Sequence, residues 1–393
     1  MCSAVRSLRW LLSATLLCFC TASALAADRP LALNETEFSA GGFLKLHLLR
    51  GDITSAHQSR RGDQQLHIPH IPLDSWAEGD RDRSTLHAKD TRFWIRSVTP
   101  GNLLGNVELL YEADLHDAAD THKLRLRHAY LLADDVFGGE VLIGQTYTSF
   151  IDTASIAESD SGIAVGTIVT RHRMLRWRQA LADNTDWLVA LEQPLNRISR
   201  PQQNGYSAHG SNRRPDLVSR LHTRQPWGSL SLAAMLREIR HEDPLTGQRQ
   251  QDTGVAISLS GRMSAGVLSN LRYMISAGNA LGRYSTLGTY TDAFLSGQDQ
   301  LELSSNYSAM LSYQHYWTPQ WRSSLTLSQT GARLPEHAGD ELTRQARSLQ
   351  LNLIWAPTRL ASVGLEYLHG ERRAHDGRRG SLNRLQLSTR INF

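Results

Sequence analysis

The stretch KLRLRHAYLLA, residues 123–133, places Lys123, Arg125 and Arg127 at every second position with Leu124 and Leu126 between them. Side chains of an extended strand point alternately to opposite faces, so three cations share one side and hydrocarbon the other. Upstream, TRFWIRS sets Arg92, Trp94 and Arg96 on one face, and NVELLYEADL sets Glu108, Glu112 and Asp114 opposite Val107, Leu109 and Tyr111. Further on, Arg171 and Arg173 lead into a strand where Arg176 and Arg178 share a face. A guanidinium stays charged and grips carboxylate or phosphate through two parallel hydrogen bonds, so the chemistry on offer is non-covalent recognition of anions. Each arginine is equally open to a second reading, in which it pairs with a neighbouring carboxylate and braces a wall. The chain carries no Walker loop, no H-E-x-x-H and no G-x-S-x-G, and so no motif for covalent catalysis.

The same alternation arises in a soluble sheet or in a sheet whose apolar face meets lipid and whose polar face meets a water-filled lumen. On the second reading Leu124, Leu126, His128 and Tyr130 face lipid while the arginine rows and Glu108, Glu112 and Asp114 face inward. The connection TSFIDTASIAESDSGIAVGTIVT, residues 148–170, carries Asp152, Glu158 and Asp160 among small residues. Folded into the lumen, it would form a constriction whose acids oppose the arginine wall; left outside, it is a solvated surface loop. His57, His67, His70 and His87 lie in the first long connection, but HIPHIP offers no third ligand at fixed spacing, so neither a metal nor a cofactor is expected.

Elements able to position these rows follow from the pattern. After Gly41-Gly42 the chain divides into sixteen alternating segments, each near the length a tilted strand needs to cross a bilayer. Every second connection is a tight turn, as in TPGN (99–102), ADNT (182–185), QPWG (225–228) and WTPQ (317–320); the others are long and polar. Trp187, Trp227, Trp317, Trp321 and Trp355 flank the short turns, as an interfacial aromatic girdle would. The expected fold is therefore all-β, a sixteen-stranded transmembrane antiparallel barrel with short periplasmic turns and long extracellular loops.

Residues 1–26 read as a signal peptide, with basic Arg6 and Arg9, an apolar run from Trp10 to Cys20 and an Ala24-Leu25-Ala26 cleavage site. The apolar run is too short to span a bilayer. Cys2, Cys18 and Cys20 all lie within residues 1–26, which leaves no thiol, disulfide or Cys-ligated metal in the exported chain. Without Arg6 and Arg9, 40 basic residues balance 38 acidic ones, and a net charge of +2 gives no case for nucleic-acid binding. Residues 27–41 are expected to form a short periplasmic segment and residues 42–393 the barrel. The terminal Phe393 on an amphipathic strand is similar to the signal read by the barrel-assembly machinery.

Residues 91–178 resemble the DcaP-like porins of Gram-negative outer membranes, through TRFWIRSVTPGNLLGNVELLYEADL, LRLRHAYLL, LIGQTYTSFID and TRHRMLRWRQAL, and GGFLKLHLL is similar to the family's first strand. The resemblance implies a trimeric channel for small organic anions such as dicarboxylates, embedded in outer-membrane lipid. Family members can carry a coiled-coil segment before the barrel; residues 27–41 are too short for one, so a homotrimer would rest on barrel contacts. Two other classes remain open. A barrel enzyme acting on lipid would need a paired His and Ser facing outward, for which His128 is the candidate, and an adhesion barrel would use its long loops.

Overall fold

The computed structural model describes residues 35–51, 66–73, 83–101, 103–115, 123–206, 208–209, 212–243, 245–297 and 300–393. The signal-peptide reading and His57 lie outside them. The chain forms β1 (Glu37–Gly51), β2 in two segments (Arg83–His87 and Arg92–Thr99), β3 (Val107–Asp114), β4 (Arg125–Val136), β5 (Gly139–Tyr147), β6 (Arg171–Ala182), β7 (Thr185–Glu192) and β8 (Asp216–Gln225). It continues through β9 (Gly228–Glu242), β10 (Arg249–Ser264), β11 (Asn270–Gly278), β12 (Ser305–Tyr316), β13 (Trp321–Arg333), β14 (Thr343–Trp355), β15 (Ala361–Ala374) and β16 (Arg379–Asn392). Each strand pairs antiparallel with the next, and both segments of β2 pair with β1, so they count as one barrel strand. Pairing of β16 with β1, from Phe43 opposite Asn392 to Gly51 opposite Arg384, closes the ladder. Closure leaves no unpaired sheet edge, the condition for a β-structure in hydrocarbon.

Burial is inverted relative to a soluble protein. Leu44, Leu46, Ile143, Leu175, Ile257, Leu311, Leu351, Leu365 and Leu387 are exposed, whereas Ser258, Ser308, Thr330, Gln350 and Asn352 are buried. The exposed set occupies the outward positions of the pleat, as lipid requires. Trp187, Trp227, Trp317, Trp321 and Trp355 are exposed beside the short turns, and Trp321 stacks on Trp355 with ring centroids 5.9 Å apart.

Two expectations change. The barrel begins at Glu37 rather than at residue 42, because Glu37–Gly41 pair with Val98–Trp94. Gly41-Gly42 is no boundary: a Cβ on Gly42 would sit 2.3 Å from the Arg92 carbonyl oxygen, so glycine permits a close strand approach. The second change is a β-bulge. Glu112 opposes His128 and Ala113 opposes Leu126, which leaves Arg127 as the extra residue. A bulge shifts the side-chain alternation by one, and His128 and Tyr130 therefore face the lumen, not lipid. His128 Nδ1 lies 2.9 Å from Thr146 Oγ1, and the Tyr130 hydroxyl donates to Glu108 at 3.3 Å. His128 thus no longer serves the lipid-enzyme reading.

Several connections fold inward. Leu66, Ile68 and Ile71 of the HIPHIP region pack on Val165, Leu368 and Leu382, so that stretch fills space. Residues 197–199, 208–209, 293–295 and 301–303 form a small four-stranded sheet. Buried Arg237 ties it to the wall through Asp216 (2.9 Å) and Asp292 (2.6 Å).

Candidate functional site

Residues 148–170 lie within the barrel. Phe150, Ile151, Ala164, Ile168 and Val169 pack on Leu188, Val218, Met235, Ala256, Met274 and Met310, inward side chains of β7 to β12. An apolar cluster there is stable because the loop covers wall positions that would otherwise meet water. Buried Glu366 of β15 fixes the loop's middle by accepting from the Asp160 and Ser161 backbone N–H groups (2.8 Å each) and the Ser159 hydroxyl (2.8 Å).

Of the acids of this loop, Asp152 and Glu158 do not line the space facing the arginine wall as expected, whereas Asp160 does. Asp152 caps its own short turn, accepting from Ala154 N at 2.9 Å and from the Ser229 hydroxyl at 2.7 Å. Glu158 is held by Arg322 Nε and Nη2 at 2.8 and 2.7 Å and by Gln314. Asp160 accepts from Lys45 Nζ at 2.5 Å and from the Ser388 hydroxyl at 2.6 Å. Burial pushes the Asp160 carboxyl up, yet Lys45 and Ser388 outweigh it and hold it below the usual carboxylate range. Asp152 and Glu158 anchor the loop to the wall behind it, and Asp160 ties it to Lys45 at the cavity. Toward the opposite wall the loop presents Ile156, Ala157, Ile163, Ala164 and Val169.

Between loop and wall lies a cavity of about 340 Å³ lined on its charged side by Lys45, Arg92, Arg125, Arg127, Arg171 and Arg390, with Asp90 and Asp160 as the lining acids. The arginine rows are partly braced from behind. Asp114 receives Arg125 Nε and Nη2 at 2.9 and 2.7 Å and Arg127 Nη1 at 2.7 Å, while Glu112 receives Arg127 Nε at 2.7 Å. Arg92 Nε stands 3.4 Å from the same Glu112 oxygen. With Glu112 and Asp114 included, six cations face four carboxylates. Two positive charges are unmatched.

The unmatched pair can be named. Among the described residues neither Arg171 nor Arg390 forms a salt bridge. Arg171 lies over the Tyr147 ring at 5.6 Å and Arg390 over the Phe43 ring at 3.9 Å. A ring face steadies a guanidinium without satisfying its in-plane donors; Arg390 Nε donates to Asn392 Oδ1 at 2.8 Å, and the terminal nitrogens of both arginines face a solute.

Of the arginines expected from the sequence, Arg92, Arg125, Arg127 and Arg171 come together here. Arg96 pairs with Glu108 at 2.6 Å in a more exposed position, and Arg176 and Arg178 approach Glu140 at 3.8 and 2.7 Å. Lys123 is exposed ahead of β4. Arg173 does not belong to the lumenal set. It is exposed on the face that carries Leu175, while Met174 and His172 on the other face are buried. Sequence reading missed Lys45 and Arg390, although each alternates with outward apolar residues, Leu44 and Leu46 for one and Ile391 for the other.

A closed sixteen-stranded barrel with an apolar outside, a polar lumen and an infolded loop facing a basic wall defines an outer-membrane channel of the porin class. The chain belongs to the DcaP outer membrane protein family, whose model matches residues 57–393. Among solved structures it is similar to the outer membrane channel DcaP of Acinetobacter baumannii, at 19% identity and a TM-score of 0.75, over 92% of this chain and 99% of that one. The anion-selective porin from Comamonas acidovorans aligns over 91% of this chain and 100% of its own, at 10% identity and a TM-score of 0.57. OmpT of Vibrio cholerae, in its trimer form, aligns over 91% and 99%, at 10% identity and a TM-score of 0.56. Identities at this level speak for the fold. The search among curated proteins returned no match.

Proposed function

We propose that this channel passes small anionic solutes of the dicarboxylate type by passive diffusion. The observation that carries the reading is the pair of guanidiniums, Arg171 and Arg390, that line the space between loop and wall without a carboxylate partner. Arginine faces in a pore favour anions. Two cationic positions beside a wall of further arginines suit a solute with two carboxylates, and the small apolar face of the loop suits the carbon chain between them. An anion-selective relative with the same fold supports the reading.

Current block by a dicarboxylate such as succinate in a planar bilayer is the test. Arg171→Lys keeps the charge but loses the two-pronged donor geometry, so the blocking concentration is expected to rise several-fold while open-channel conductance holds. Equal block by succinate in both proteins would remove Arg171 from the binding role.

The barrel is further proposed to assemble as a homotrimer, in line with the trimer form of Vibrio cholerae OmpT. The mass of the detergent-extracted complex, corrected for detergent, should correspond to three chains; a mass of one chain would refute this.

A further inference from the structure

The outer face of the barrel carries a second charged constellation that permeation does not use. Strand register sets its outward side chains in rows. Ile275, Ala309, Gln329, Arg347, Glu371 and Ser381 are successive neighbours across β11 to β16. One row nearer the long loops, Gln345, Arg373 and Arg379 follow one another; one row nearer the short turns stand Tyr273, Leu311, Leu327, Leu349 and His369. Composition therefore changes from leucine to arginine within two rows, at the extracellular end.

Arg347, Arg373 and Arg379 are exposed, and among the described residues none of them forms a salt bridge. Glu371, in the same patch, has His369 Nε2 at 3.1 Å instead. Around the three arginines lies a cleft of about 320 Å³. Through Arg347 and Glu371 it continues into a groove of about 680 Å³ lined by Tyr273, Ile275, Ala309, Leu311, Leu327 and Leu349. Ala309 opens the groove, since its small side chain stands where flanking strands carry Ile275 and Gln329. Basic cleft and apolar groove adjoin at Arg347 and Glu371.

Charge on the lipid face of a barrel is tolerated toward the interface and costly toward the midplane. Basic clusters at headgroup level attract anionic lipid. From the adjoining of a basic cleft and an apolar groove we infer that β11 to β16 form a docking site for one phosphorylated glycolipid of the outer leaflet. Its headgroup phosphate engages Arg347, Arg373 and Arg379, and one acyl chain lies along the groove. A zwitterionic phospholipid is disfavoured, because its ammonium would meet the same arginines.

The test is native mass spectrometry of the detergent-extracted barrel with a bisphosphorylated, acylated disaccharide glycolipid purified from outer membranes. The unaltered protein should retain the glycolipid, and the Arg347→Gln/Arg373→Gln/Arg379→Gln variant should retain it at least about tenfold more weakly, given the strength of guanidinium–phosphate pairs. Ala309→Trp, which fills the groove and leaves the arginines in place, should weaken retention as well. Millimolar inorganic phosphate should not displace the glycolipid, and its enzymatically dephosphorylated form should bind poorly to the unaltered protein. Heat-modifiable gel mobility verifies folding, and unchanged reversal potential in the triple variant separates this site from the lumen. Undiminished retention by the triple variant, displacement by inorganic phosphate, or equal binding of the dephosphorylated glycolipid would each overturn the assignment.

Discussion

Replacing Arg171 and Arg390 together by glutamine is expected to lower the anion-over-cation permeability ratio roughly thirtyfold. A unit charge about 8 Å from a permeating ion in water contributes roughly 0.5 kcal/mol, so two contribute about 1 kcal/mol, in favour of the anion and against the cation; the difference of about 2 kcal/mol is roughly a thirtyfold change in ratio. The barrel should fold normally. Arg171 lies over Tyr147 and Arg390 over Phe43, with Arg390 Nε also donating to Asn392 Oδ1 at 2.8 Å, and no buried carboxylate is orphaned by either change. The outward leucines and the closed backbone ladder are untouched. Reversal potential across a salt gradient reads the ratio directly. An unchanged ratio in a folded variant would mean that the two guanidiniums stand outside the ion path.

A different outcome is expected at Asp114. Its side chain is only 1% exposed and takes three hydrogen bonds from Arg125 and Arg127, and the Arg127 side chain is itself 8% exposed. Asp114→Ala leaves these guanidiniums with fewer counter-charges beside the bulge at Arg127, and breaking such a buried pair costs about 3 kcal/mol. Urea unfolding of the vesicle-inserted barrel should show that loss. Adding Arg127→Met should recover part of it, because the uncompensated buried charge is then gone. A loss under about 1 kcal/mol, the range of solvated ion pairs, would show that the cluster is hydrated.

The barrel was legible because each strand states its two faces in alternate residues. Leu109 and Tyr111 are outward and Glu108 and Glu112 inward as their spacing requires. Where alternation is uninterrupted, the side-chain direction follows from sequence alone. It failed at His128 and Tyr130 because one extra residue at Arg127 reverses the parity, and nothing in KLRLRHAYLLA marks where a bulge falls. Arg173 was misplaced for a related reason. Arg171 reaches the cavity from the first position of β6, where the chain leaves the infolded loop, whereas Arg173, two residues on, follows the outward row with Leu175.

The partners of the loop's acids were not legible because they are remote in sequence. Asp160 meets Lys45 across a separation of 115 residues, and Glu158 meets Arg322 across 164. Local pattern identifies an acidic loop; only the closed barrel reveals which wall it lies against. Lys45 and Arg390 were recoverable by the same alternation that exposed Arg92 and Arg125. The remaining lumenal contributions of β8 to β14, such as Arg220 donating to the Ile151 carbonyl, depend on the loop's path and carry no local signature.

The most direct test is the zero-current potential of the unaltered barrel in a planar bilayer under a tenfold potassium chloride gradient. Two unmatched cations lining the space between loop and wall predict a potential of the sign that chloride permeation gives, shrinking as salt rises and screens them. A potential of the opposite sign, set by potassium, would contradict the account.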